Sequence, residues 1–103
     1  MAFLKRCVRE RAIVWTYHVN MRMGSRELSR RVILEAVDTF EVIEAYPDDK
    51  YLPSYLARAE SGSLVFHVLM AADTANSVAH VVTAYMPDAS KWLPDFRERR
   101  RSS

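Results

Sequence analysis

A chain of 103 residues, half of them apolar and with only two glycines, is the size of one domain and has the material for one hydrophobic core. The lone Cys7 excludes an internal disulfide, and charges interrupt every apolar stretch before the roughly twenty residues that a membrane-spanning helix needs. The start Met1-Ala2-Phe3-Leu4-Lys5-Arg6 lacks the long apolar core of a signal peptide, so a cytoplasmic protein without membrane contact is expected.

In chain order, Phe3, Leu4, Cys7 and Val8 recur at helical spacing and predict a short amphipathic helix with Lys5, Arg6 and Arg9 outward. Ile13-Val14-Trp15 then runs extended into the core. Thr16 is suited to cap a helix over 17–23 that Gly24 ends, and Ser29 to cap a second. From 30 to 39, Val32, Ile33, Ala36 and Val37, with Phe40 just beyond, form one apolar stripe, the pattern of a helix laid on a sheet. After Phe40 the period becomes alternating. Strands are predicted at 41–46, ending in the turn Pro47-Asp48-Asp49, and at 53–59, opened by Pro53. The loop Glu60-Ser61-Gly62-Ser63 leads to a central strand at 64–71, and after a polar turn the fourth strand runs from 78 to 85. The basic tail, 88–103, carries Trp92 and Phe96 as anchors for a short helix on the sheet edge. The expected fold is α+β: a single domain over 1–103, with helices at about 3–39 packed on a four-stranded, mainly antiparallel sheet at about 41–85.

The net charge of +2 is unevenly spread. Residues 1–31 hold eight Lys/Arg against Glu10 and Glu27, residues 32–95 hold ten acids against Lys50, Arg58 and Lys91, and the tail returns to positive through Arg97, Arg99, Arg100 and Arg101. If the two basic ends meet in the fold, they form a patch for phosphate or for an acidic partner; solvated surface is the competing reading. Three histidines, one cysteine and scattered acids show no short metal-ligand spacing, and two isolated glycines make no phosphate loop. No metal or cofactor is expected. Cys7, on an apolar stripe, reads as a small hydrophobe.

Several short motifs carry a resemblance that reaches further. His18, Arg22 and Met23, Arg26, and Leu28-Ser29 come first. Glu44-Ala45-Tyr46-Pro47-Asp48-Asp49 follows, then Pro53-Ser54-Tyr55-Leu56, Phe66-His67-Val68, Val82-Thr83-Ala84-Tyr85, and Pro87-Asp88 through Lys91-Trp92 to Arg100. In that order and spacing they resemble a small bacterial family catalogued as domain of unknown function 4258, from whose pattern the chain departs at Glu27, where a turn glycine is usual. The helix-first, antiparallel-sheet order resembles, at the level of fold, the compact RelE-like and MqsR-like ribonuclease toxins. The resemblance implies the toxin of a bacterial toxin–antitoxin pair, with RNA as substrate and a small antitoxin-like protein encoded nearby as partner.

Metal-independent RNA cleavage needs a base for the ribose 2′-OH, an acid for the leaving oxygen and a cation for the charge on phosphorus. His18, His67, Arg22 and Tyr85 supply those types. Histidine titrates near neutrality, and Arg22 lies one helical turn after His18. Arg26, Tyr46, Tyr55, Thr83, Arg99 and Arg100 are candidates for holding substrate. Each has an ordinary alternative: His67 as a satisfied core histidine, Arg22 as a bridge to Glu44, the tyrosines as strand-packing residues. A non-catalytic module that binds nucleic acid or protein through its basic ends therefore stands beside the endoribonuclease.

Overall fold

The computed structural model describes residues 1–16 and 28–100. The helix expected over 17–23, its Gly24 terminus, His18, Arg22, Arg26, Glu27 and Arg101 lie outside the described residues.

Helix α1, Ala2–Arg9, buries Leu4, Cys7 and Val8, the one stripe that spacings of three and four bring to the same side. Strand β1, Ile13–Trp15, follows. Helix α2, Arg30–Glu35, starts where the Ser29 hydroxyl accepts from Val32 N at 3.2 Å, as a capping serine should. It is shorter than the expected 30–39, because the chain tightens into a 3₁₀ turn, Val37–Thr39, before β2. Strands β2 (Glu41–Tyr46), β3 (Ser54–Ser61), β4 (Leu64–Asp73) and β5 (Val78–Tyr85) complete the order. Gly62, at φ +61° in the β3–β4 turn, takes the left-handed backbone that glycine adopts without strain.

The sheet has five strands in the order β1-β5-β4-β3-β2, a correction to the expected four. The addition is β1, which pairs parallel with β5 through Ile13–Ala79, Val14–His80 and Trp15–Val81, while all other pairings are antiparallel. Its three residues were legible as extended chain but not as a sheet edge.

One face of the sheet carries the helices. Phe66, Val68 and Met70 of β4, Ala57 and Ala59 of β3, and Ala79, Val81 and Ala84 of β5 pack with Leu4, Val8, Leu28 and Ile33. Two register shifts set what faces the other way. Val81 and Ala84 are an odd number of residues apart, yet both are buried; this is possible because β5 carries one extra residue, Val82, between the pairs Met70–Val81 and Leu69–Thr83. Ile43 does the same in β2, between Val42–Ala57 and Glu44–Leu56. Such bulges reverse which residues point to a given face. The opposite face therefore presents three rows across β2, β3, β4 and β5: Glu41-Arg58-His67-Tyr85, Glu44-Leu56-Leu69-Thr83 and Tyr46-Ser54-Ala71-His80.

The C-terminal segment crosses this second face as a strap, not as the expected helix on the sheet edge. It folds on itself through Trp92 N to Asp88 O (3.1 Å), Leu93 N to Glu98 O (2.9 Å) and Arg100 N to Lys91 O (2.8 Å), turning at Phe96 with φ 58°. Pro94 has no N–H to continue a helix, which favours the turn. Trp92 is buried to 2% exposure and its ring meets the His67 ring edge-on at 4.4 Å. Among the described residues, the basic side chains of α1 lie with the helices on one face and those of the strap lie across the other.

Trp92→Ala should lower stability by about 3–5 kcal/mol, because it empties a packed site, whereas Arg97→Ala, which removes an exposed ion pair with Glu41 at 3.0 Å, should cost under about 1 kcal/mol. Urea unfolding of both variants checks the ranking, and equal losses would mean that the strap is not part of the core. Gly62→Ala, with open space around the added methyl, should cost about 1 kcal/mol from backbone strain alone.

Candidate functional site

The strap covers the first row of the second face and leaves the other two bordering open concavities. Beneath it, His67 is fully buried. Its Nε2 donates to the Phe96 carbonyl at 2.8 Å, which leaves Nδ1 of the neutral ring to accept from the Tyr85 hydroxyl at 3.3 Å. Burial pushes the His67 pKa down, against the pull of the Phe96 carbonyl and of Glu44. Arg58, next to it on β3, is also buried; it donates through Nε to Asp95 O at 2.8 Å and pairs with Glu60 at 2.7 Å.

At the strap's edge the side chains converge. Arg99 grips Glu44 with two hydrogen bonds, Nε to Oε2 at 2.7 Å and Nη2 to Oε1 at 3.1 Å, and its guanidinium lies 4.6 Å over the Trp92 ring. The Tyr46 hydroxyl donates to Glu44 Oε1. The hydrogen bond from Arg99, reinforced by that of Tyr46, holds the Glu44 carboxyl below its usual pKa despite partial burial, and the same contacts push Arg99 and Tyr46 up. These groups, with Leu56, Leu69, Thr83 and Tyr85, line a concavity of about 190 Å³. Thr83 Oγ1 is buried there with no hydrogen-bond partner. Beyond Tyr85 and Arg99 the hollow is continued by one of about 310 Å³ at Met86, Asp88, Lys91 and Trp92.

Of the residues singled out from the sequence, Tyr46, Thr83, Tyr85 and Arg99 come together here, with His67 behind Tyr85. Tyr55 does not join them, because its place in β3 turns it toward the helices. Arg100 also lies apart, donating to Ala89 O at 2.9 Å within the strap. His18, Arg22 and Arg26 fall outside the described residues. Glu44, named as the alternative partner of Arg22, is held by Arg99 and Tyr46. Sequence reasoning missed Glu44 and Trp92 as members of the site, and no local pattern marks them: only the bulge at Ile43 and the path of the strap bring them to Tyr85. Among the described residues no cluster of His, Cys, Asp and Glu could hold a metal ion, and no helix is long and apolar enough to cross a membrane.

Residues 15–86 match the model of the family described as Domain of unknown function (DUF4258). The chain belongs to this family. No curated protein and no solved structure matches it. The DUF4258 match contains every strand residue of the site, Glu44, Tyr46, Thr83 and Tyr85 among them, and ends before the strap residues Trp92 and Arg99.

The buried His67 makes stability depend on pH. A histidine whose folded pKa is depressed stabilises the fold fully above its unfolded value, near 6.5, and that contribution is lost as pH falls from there through the folded pKa. Urea unfolding between pH 7.5 and 5 should therefore show stability falling as pH drops below about 6.5. His67→Gln should remove that component; an identical slope in the variant would assign it to other groups.

Proposed function

We propose that this protein is the toxin of a bacterial toxin–antitoxin pair, a metal-independent endoribonuclease acting in the cytoplasm on single-stranded or ribosome-bound RNA, in a RelE-like fold, with a small antitoxin-like protein as partner. The observation that carries this reading is a carboxylate, Glu44, kept ionised by Arg99 and flanked by two phenols, Tyr46 and Tyr85, at the wall of one concavity. Those are the base, cation and acid that transfer to a 2′-oxygen requires.

In this reaction Glu44 takes the proton of the ribose 2′-OH as the oxygen bonds to phosphorus. The bond from phosphorus to the 5′-oxygen breaks as Tyr85 turns its hydroxyl proton from His67 Nδ1 to that oxygen and gives it up, leaving a 2′,3′-cyclic phosphate and a 5′-hydroxyl. Water returns the proton from Glu44 to Tyr85. Arg99 has five N–H donors and spends two on Glu44, so the remainder can meet the charge that builds on phosphorus. His67 is a positioning residue: it holds the Tyr85 hydroxyl from behind. The lowered pKa of Glu44 keeps it deprotonated at neutral pH but weakens it as a base, so each acid–base group is asked for only about 10²–10⁴-fold. His18, Arg22 and Arg26 are further acid–base and phosphate-binding candidates by chemistry.

One observation favours a second reading, a non-catalytic module that binds nucleic acid or protein. Arg97 and Arg99 are in ion pairs with Glu41 and Glu44, and His67 has both ring nitrogens engaged, which is how a strap fastened for stability alone would look.

Induced expression in a bacterial host without the neighbouring gene, with RNA 5′ ends mapped, separates the two. The toxin reading expects growth arrest and new 5′-hydroxyl ends, lost by about 10²-fold or more in Glu44→Gln and Tyr85→Phe proteins that remain folded. Intact RNA from folded wild-type protein would leave the binding module.

A further inference from the structure

The second face carries a third concavity, of about 260 Å³, that the cleavage site does not use. It has a structural cause. In the row Tyr46-Ser54-Ala71-His80, the small Ala71 stands between Ser54 and His80, so the sheet is low there, with Leu69 and Val82 completing an apolar floor. The loop between β2 and β3 raises one wall with Tyr51 and Leu52. Leu69 also lines the concavity of Glu44 and Arg99, so the two hollows adjoin.

The neighbouring hollows differ in their charged groups. The cleavage side holds the cations Arg99 and, beyond it, Lys91, beside the acids Glu44 and Asp88. The Ala71 trough holds the carboxylate of Asp49, which receives Lys50 N on Oδ1 and Ser54 Oγ on Oδ2, both at 2.8 Å. A carboxylate has about four acceptor positions, so Asp49 retains capacity for further N–H donors, and it disfavours a phosphate in the trough. At the rim, Tyr51 is 85% exposed, an unusual position for a large aromatic ring, and Lys50 Nζ lies 5.5 Å from its centroid.

We propose that this trough is a nucleobase site for single-stranded RNA. One base lies on the floor over Ala71, Tyr51 supplies the stacking ring, and Asp49 accepts from the N–H edge of the base. The Lys50 ammonium sits where the phosphate of an adjoining nucleotide passes. Aromatic stacking with a cationic rim is how proteins hold unpaired bases. The inference rests on the RNA reading of the adjoining site and extends it: the strand enters with its phosphate at Arg99 and its base beyond Leu69.

Fluorescence anisotropy with uncleavable 2′-O-methyl RNA hexamers tests this apart from catalysis. Tyr51 is exposed, so Tyr51→Ala should leave the fold intact and weaken binding by about 5- to 100-fold, with an unchanged salt slope, because stacking neutralises no phosphate. Tyr51→Phe should bind within about twofold of wild type, and Asp49→Asn should reorder the preference among the four homopolymers. If wild-type protein binds the hexamers and Tyr51→Ala binds them equally well, the nucleobase site is overturned while the cleavage reading stands. No binding by the wild-type protein would overturn both.

Discussion

The constraint on which this molecule depends is that a sheet with helices on one face must still deal with the other. In the described residues the helices cover the face of Phe66, Val68 and Met70, which leaves Leu56, His67 and Leu69 facing away. Among the described residues, the C-terminal strap is what covers part of that face. Trp92 comes down on His67, and the strap is fastened at its margins by Arg97 to Glu41 and Arg99 to Glu44. Exposed ion pairs contribute little, so the burial of Trp92 is the larger part of that seat, and the pairs set where the strap lies. Covering half of the face is also what makes a groove of the rest.

Seen this way, the chemistry of the site follows from a packing problem. A strap ending in arginines over a strand carrying Glu44 gives a clamped carboxylate at its edge. The same seat closes water away from His67 and fixes its tautomer, since a carbonyl can only accept and Phe96 O takes the Nε2 proton. Tyr85 then belongs to both environments, with His67 behind it and the concavity in front. A group shared between a sealed interior and an open hollow is a natural place for proton transfer, and it is equally a place where loss of the strap disturbs stability and site together.

Strands β2 and β5 lie within the spans that alternation and the flanking Pro47 and Pro87 indicate, because both signals are local. The Ser29 cap was legible for the same reason. The tail was not: Trp92 and Phe96 at a spacing of four suggested a helix, but Pro94 between them and the pull of the open face produced a turn. Nor were the bulges legible. Val82 and Ile43 are ordinary strand residues, and only the pairing register with the neighbouring strands, which buries both Val81 and Ala84, selects them as the extra residues.

The sequence by itself determined the α+β class, the number of long strands and their order along the chain, the Ser29 cap, the turns between the long strands, and the family, because each is written in nearby residues. Tertiary structure alone decided that β1 closes the sheet in parallel, that the strap crosses the face opposite α1, and that Glu44, Tyr46, Tyr85 and Arg99 meet. Those outcomes depend on pairing register and on which face remains uncovered once the core has formed, and both are set by contacts between residues far apart in the chain.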